Sequence, residues 1–132
     1  DCMQICPPRP SQAALTPSIA GTAEWRAGKS REIRDRAGTF RSAMAAATGW
    51  DIVQAGAYFA YVRHPYAGRD ARSVSRFLAQ RLGLLTLPGS YFGPGQEGYL
   101  RIAFANVDDA GIAAFAARLA AHGMDGPLED AA

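Results

Sequence analysis

The sequence predicts an α/β domain of two layers, helices packed on a small mixed sheet, preceded by a long connecting helix and an irregular N-terminal arm. Three observations predict it. Apolar residues recur at helical spacing over 21–47, 70–82 and 108–122. Short runs over 51–54, 57–63, 84–87 and 99–105 read instead as strands. Pro7, Pro8, Pro10 and Pro17 crowd the first twenty residues. At 132 residues and 48% hydrophobic, the chain is long enough for one core of its own.

In chain order, the four prolines bar a long regular element before about residue 20. Over 21–47, Trp25, Ile33, Ala37, Phe40 and Met44 recur at intervals near three and four, and Gly49 supplies a stop. Such a helix would run about 40 Å at 1.5 Å per residue. That length suits an element crossing between two domains. Strands follow at 51–54 and 57–63, and Pro65 and Gly68 break the chain. A helix over 70–82 places Val74, Phe77, Leu78 and Leu82 on one face and stops at Gly83. A brief buried strand over 84–87 leads into a glycine-rich loop and the strand 99–105. Asp108 caps a last helix whose Ile112, Phe115, Ala116 and Leu119 face inward, ending at Gly123, with a loose tail beyond. The domains so predicted are an arm at 1–20, the long helix at 21–48, a compact domain at 49–123 and the tail at 124–132.

The segment 87–106 carries the chemistry. Alternation along it sets Leu100, Ile102 and Phe104 on one face and Tyr99, Arg101, Ala103 and Ala105 on the other. The first face reads as core. The second offers a guanidinium flanked by alanines too small to fill the space beside it. A buried charge is costly unless an anion accompanies it. The planar fork of arginine grips a carboxylate through two parallel hydrogen bonds. Either Arg101 waits for such a ligand, or it is salt-bridged to a neighbouring Asp or Glu.

Gly56-Ala57-Tyr58-Phe59-Ala60-Tyr61, a helix, the loop Pro88-Gly89-Ser90-Tyr91-Phe92-Gly93 and the strand Arg101-Ile102-Ala103-Phe104-Ala105 occur in that order. In this arrangement the chain resembles the C-terminal, small-domain part of class I/II aminotransferases, pyridoxal-phosphate enzymes of fold type I. The resemblance runs from Asp1 to about His122. It implies that Arg101 holds the α-carboxylate of the substrate, and that an amino group passes from an L-amino acid to a 2-oxo acid. It also implies pyridoxal phosphate as cofactor, bound mainly by an upstream domain, and a homodimer; composition points to a cytoplasmic setting. Tyr58 is a further candidate for lining the pocket; the other reading makes it an ordinary core aromatic.

In this family a lysine of the larger domain carries the cofactor as a Schiff base. The single lysine here, Lys29, sits among charges on the wet face of a helix, whereas such a lysine needs a desolvated pocket. No catalytic or cofactor-binding residue is therefore assigned to this chain. With its start at Asp1, it reads as a piece of a larger enzyme. Two other readings stay open. One is another fold-type I pyridoxal-phosphate enzyme, a decarboxylase, synthase or lyase. The other is a non-catalytic α/β binding or assembly module.

Other classes find no support. No apolar run approaches the roughly 20 residues that span a bilayer. The net charge of +2 comes from arginines interleaved with Glu24, Glu32 and Asp35, a solvated helix face rather than a nucleic-acid stripe. Cys2 and Cys6 lie far from His64 and His122, which argues against zinc. Gly28-Lys29-Ser30 lacks the earlier glycine and the strand of a P-loop. Gly93-Pro94-Gly95-Gln96-Glu97-Gly98 matches a dinucleotide fingerprint in letters, but a strand rather than a helix follows it.

Overall fold

A computed structural model describes residues 8–122. Cys2, Cys6, Gly123 and the 124–132 tail lie outside the described residues. The chain divides into two compact units between Glu32 and Ile33.

The first unit holds helix α1 (Arg9–Gly21) and the opening turns of helix α2 (Ala23–Met44). An irregular arm was the expectation here, and from Arg9 onward a helix replaces it. The prolines are placed where a helix tolerates them. Pro8 is the N-cap and Pro10 falls in the first turn, where the missing N–H would have no partner in any case. Only Pro17 removes an interior bond. The predicted single helix over 21–47 is also interrupted, at Thr22, whose N–H donates to the Ser18 carbonyl at 3.2 Å. With 22 residues, α2 spans about 33 Å rather than 40. Trp25, Leu15 and Ile19 are exposed.

The second unit is the α/β domain. It contains the end of α2, strands β1 (Asp51–Gly56) and β2 (Phe59–Arg63), helix α3 (Ala71–Leu82), strand β3 (Leu87–Pro88), a 3-10 turn (Gly89–Phe92), strand β4 (Tyr99–Ala103) and helix α4 (Asp109–His122). The strands form one sheet in the order β1-β2-β4-β3. Every ladder is antiparallel, so the sheet is not mixed. A strand–helix–strand order suggests parallel neighbours. Here β2 and β3, joined through α3, do run the same way, but β4 occupies the slot between them.

One sheet face is the core side. Val62, Leu100, Ile102 and Phe104 are 3% exposed or less, and Val74, Leu78, Ile112 and Leu119 from α3 and α4 are buried in the same cluster. Phe40 of α2 stacks on Phe104 with ring centroids 5.4 Å apart. Arg36, one turn earlier, donates to the Ala105 carbonyl just past β4. The strand predicted over 84–87 is shorter than expected. Leu84 and Thr86 are buried and Leu85 is 85% exposed, an alternating pattern, yet only Leu87 and Pro88 pair with β4.

Helix α3 ends as the sequence suggests. The Asp70 carboxylate accepts from the Arg72 and Ser73 amides at 2.8 and 3.2 Å. Gly83 takes the left-handed conformation at φ 63°, and the Leu84 N–H closes onto the Leu78 carbonyl at 2.9 Å. What burial there is raises the Asp70 pKa, but the Ser73 and Arg72 amides outweigh it and hold the carboxyl below its usual range. The cap therefore stabilises fully above the ordinary carboxylate pKa, near 3.9, and its contribution fades as the pH falls below that value. Asp70→Ala should cost about 1 kcal/mol at neutral pH, measured by urea denaturation. The gap to the unsubstituted protein should narrow at about pH 3.

Candidate functional site

β4 lies between β2 and β3, and its register decides what surrounds Arg101. Tyr61 stands directly opposite on β2 and Leu87 on β3. Since Leu100 and Ile102 are buried in the core, Arg101 projects from the opposite face, half-buried. Phe59 faces Ala103 across the β2–β4 ladder. The smallness of Ala103 leaves the space into which the Phe59 ring reaches. The Arg101 guanidinium carbon lies 4.4 Å from the centroid of Phe59 and 4.4 Å from that of Phe92. Phe92 arrives from the other side, at the end of the 3-10 turn.

The guanidinium is thus held between two aromatic rings, an attraction worth roughly 0.5–2 kcal/mol per ring depending on desolvation. A ring face engages the cation without taking its N–H donors the way a carboxylate does, so these contacts leave the fork's donors for an anion. Among the described residues, no Asp or Glu pairs with Arg101, and its Nε is buried without a hydrogen-bond partner. The structural ion pair considered from sequence is absent among these residues. A cavity of about 570 Å³ has Arg101, Phe59, Leu87 and Ala103 in its lining, together with core-side residues such as Ile102 and Phe115. Its lining is predominantly apolar with a few polar groups, the composition typical of small-molecule sites.

Tyr58 is neither in a strand nor in the core. It sits in the two-residue turn between β1 and β2, next to Ala57, which adopts a positive φ of 48°. Its side chain is 55% exposed and meets the Phe59 ring edge-on at 6.4 Å. Tyr58 therefore reaches Arg101 only through Phe59. Phe59 and Phe92 themselves escaped the sequence reading, and the small Ala103 next to a buried charge was the one available signal.

The glycine-rich loop is built around close approach. A Cβ on Gly89 would collide with the Gln96 carbonyl, and would stand 2.6 Å from the Tyr61 hydroxyl and 2.7 Å from the Tyr99 carbonyl. Gly95 takes φ 77°, a region that favours glycine. The Tyr61 hydroxyl donates to Gln96 Oε1 at 2.8 Å, and its ring stacks on Tyr99 at 5.3 Å. Burial, with a smaller contribution from Tyr99, raises the Tyr61 pKa and keeps the phenol a donor.

Lys29 lies within α2, 2.6 Å from Glu32 in an exposed salt bridge. Gly28–Ser30 is thus mid-helix, and Gly98 leads into β4, so neither glycine motif has a phosphate-binding context. The described residues contain no group of His, Cys, Asp and Glu suited to a metal ion. No described helix is long and apolar enough to cross a membrane.

Residues 3–119 match the family described as aminotransferase class I and II. A probable aminotransferase, Rv1178 of Mycobacterium tuberculosis H37Rv, is 32% identical over 112 residues, covering 85% of this chain and 25% of that protein. The aromatic aminotransferase ISS1 of Arabidopsis thaliana is 38% identical over 64 residues, 48% of this chain and 16% of that protein. Among solved structures, YbdL of Escherichia coli, assigned a methionine aminotransferase function, superposes with a TM-score of 0.59 at 24% identity. It covers 67% of this chain and 24% of its own. An aromatic aminotransferase from Pyrococcus horikoshii OT3 gives 0.56 at 21% identity, over 80% and 27%. The chain spans about a quarter of the length of the Mycobacterium relative and of both solved structures.

Gly89→Ala should destabilise the domain by about 1–3 kcal/mol, the usual cost of overpacking. Gly98→Ala is the control, because no atom lies within 4 Å of a Cβ there. Paired denaturation curves measure the difference, and equal midpoints would show that the loop is not tightly seated.

Proposed function

The chain belongs to the aminotransferase class I and II family, and from that premise and the Arg101 site we propose its role. It forms the small domain of a pyridoxal-phosphate-dependent aminotransferase that moves an amino group from an L-amino acid to a 2-oxo acid. Arg101 binds the α-carboxylate of either substrate. The observation that carries this is the guanidinium held between Phe59 and Phe92 with no described carboxylate to neutralise it. A planar fork in that state matches a carboxylate in shape and charge.

The residues of this chain do not fit a cofactor-carrying role. A lysine that bonds pyridoxal phosphate must give up its proton in a desolvated site, and Lys29 is exposed and paired with an acid. The cofactor and its lysine therefore belong, on this reading, to the rest of the enzyme, where the cofactor supplies the electron sink for bond breaking at Cα. This chain contributes orientation. A carboxylate pinned at Arg101 limits which bond to Cα can face the cofactor, so positioning selects the reaction. Tyr58 lies outside the cavity lining and acts on the site only by packing edge-on against Phe59. Family membership is the support for a homodimer, and composition that for a cytoplasmic setting.

In the intact enzyme, Arg101→Ala should lower kcat/KM for an α-amino acid by the equivalent of about 2–5 kcal/mol, the cost of removing one partner of a desolvated charge pair. Arg101→Lys should restore only part, since an ammonium keeps the charge and loses the fork. The amine lacking the carboxylate should respond little to either change. Steady-state kinetics on both substrates, with a melting curve for each variant, is the test. Equal loss on acid and amine alongside a lowered Tm would make Arg101 a structural residue and end the assignment.

A further inference from the structure

One histidine grips the turn that launches β4, through both its backbone and its ring. His64 follows directly after β2 and is 7% exposed. Its backbone N–H donates to the Gly98 carbonyl at 3.1 Å. Its Nε2 lies 3.1 Å from the Glu97 carbonyl oxygen. A carbonyl only accepts, so Nε2 carries the proton and Nδ1 is the bare lone pair of the neutral ring. That Nδ1 is buried, and no described residue bonds to it.

The two carbonyls so held are consecutive and lie just ahead of Tyr99, the first residue of β4. A second hold comes from Tyr61, whose hydroxyl bonds Gln96 in the same turn. The Gln96 carbonyl in turn accepts the Tyr99 N–H at 3.2 Å and stands against Gly89, where the turn bearing Phe92 begins. Movement of residues 96–98 would therefore shift both the strand that carries Arg101 and the ring that covers it.

We propose that His64 is a proton-sensitive positioning residue, holding the 96–98 turn and through it the aim of Arg101. The consequence for substrate binding rests on reading Arg101 as the carboxylate-binding group, whereas the hold on the turn does not. A second proton would have to go onto Nδ1, where no acceptor waits. Burial lowers the His64 pKa below its ordinary value, and the Glu97 carbonyl and the charge of Asp70 only partly oppose it. The charged and titratable groups around the ring are few. Asp70 at the start of α3 already spends its carboxylate on the Arg72 and Ser73 amides. Tyr66 in the following turn has its ring 6.1 Å away. Glu97 meets the ring through its backbone oxygen, and Arg63 on β2 is engaged with the Tyr99 hydroxyl. With a lowered pKa in the folded state, the hold is complete above the ordinary histidine pKa, near 6.5, weakens below it, and is fully lost only as the pH falls through the lower folded value. Protonation is then admitted only as the ring leaves its site and releases the turn.

The test uses the intact enzyme and two variants. His64→Gln keeps an amide N–H able to reach the Glu97 carbonyl but does not titrate; His64→Leu removes the donor. Amide hydrogen exchange over 93–99, corrected for intrinsic rates, is compared at about pH 7.5 and about pH 5.5, on either side of the ordinary histidine pKa. KM and kcat are measured for an α-amino acid and its decarboxylated amine. In the unsubstituted enzyme, protection should fall at the lower pH and KM for the amino acid should rise roughly three- to tenfold, the worth of one hydrogen bond. Its kcat and the KM of the amine should hold. His64→Gln should show neither pH response, and His64→Leu should be loose at both values. Protection that ignores pH in the unsubstituted enzyme, or a pH response that survives in His64→Gln, would overturn the proposal. Should His64→Leu not fold, the comparison with glutamine decides alone. Protection that responds as forecast while the KM values of amino acid and amine move together would keep the latch and remove Arg101 from carboxylate binding.

Discussion

A guanidinium drawn partly out of water with no anion beside it is unstable unless something compensates, and the second unit is organised around that condition at Arg101. Two rings provide the compensation without cancelling the charge. Phe59 and Phe92 attract the cation through their faces, and neither competes for the N–H edge of the fork. A salt bridge in their place would satisfy the same desolvation and leave nothing to offer a ligand. The distinction between a structural and a binding arginine lies in that choice of neighbours.

The remaining architecture keeps those neighbours in register. β4 must bury Leu100, Ile102 and Phe104 on one side so that Arg101 can only project to the other. The Phe40–Phe104 stack and the Arg36 bond to Ala105 fasten its far end to α2. Its near end is fastened by the loop contacts around Gly89, Gln96 and Gly98. The Ser75 hydroxyl, buried on α3, donates to the Thr86 carbonyl at 2.8 Å and steadies the approach to β3 and the turn that carries Phe92. Each fastening is local, and together they set one rotamer-scale geometry at the site.

Much of this was legible in the residues. The alternation along 99–105 exposed both faces of β4, and the apolar face of 70–82 with its stop at Gly83 placed α3 correctly, because periodicity and helix stops act over one or two turns of chain. What escaped depends on longer range. Nothing within 56–61 says that Phe59 will face Ala103, since a ladder register is a property of two strands. The antiparallel sheet was hidden for the same reason: β4, late in the sequence, inserts between β2 and β3. The helix at Arg9–Gly21 was missed by weighing the number of prolines above their positions, although a proline in the first turn costs a helix little. Tyr58 looked like a strand residue because the hairpin turn is made by Ala57 in a conformation usually left to glycine, so no turn signal marks it.

The central claim is that the Arg101 fork is kept free for the carboxylate of a substrate. A crystal structure of the intact enzyme with an unreactive α-amino-acid analogue measures this most directly. The expected result is two parallel hydrogen bonds from the Arg101 guanidinium to the carboxylate of the analogue, each about 2.7–2.9 Å, with Phe59 and Phe92 still in contact with it. An Arg101 already paired with an Asp or Glu from elsewhere in the enzyme, and an analogue whose carboxylate is held by other groups, would contradict it.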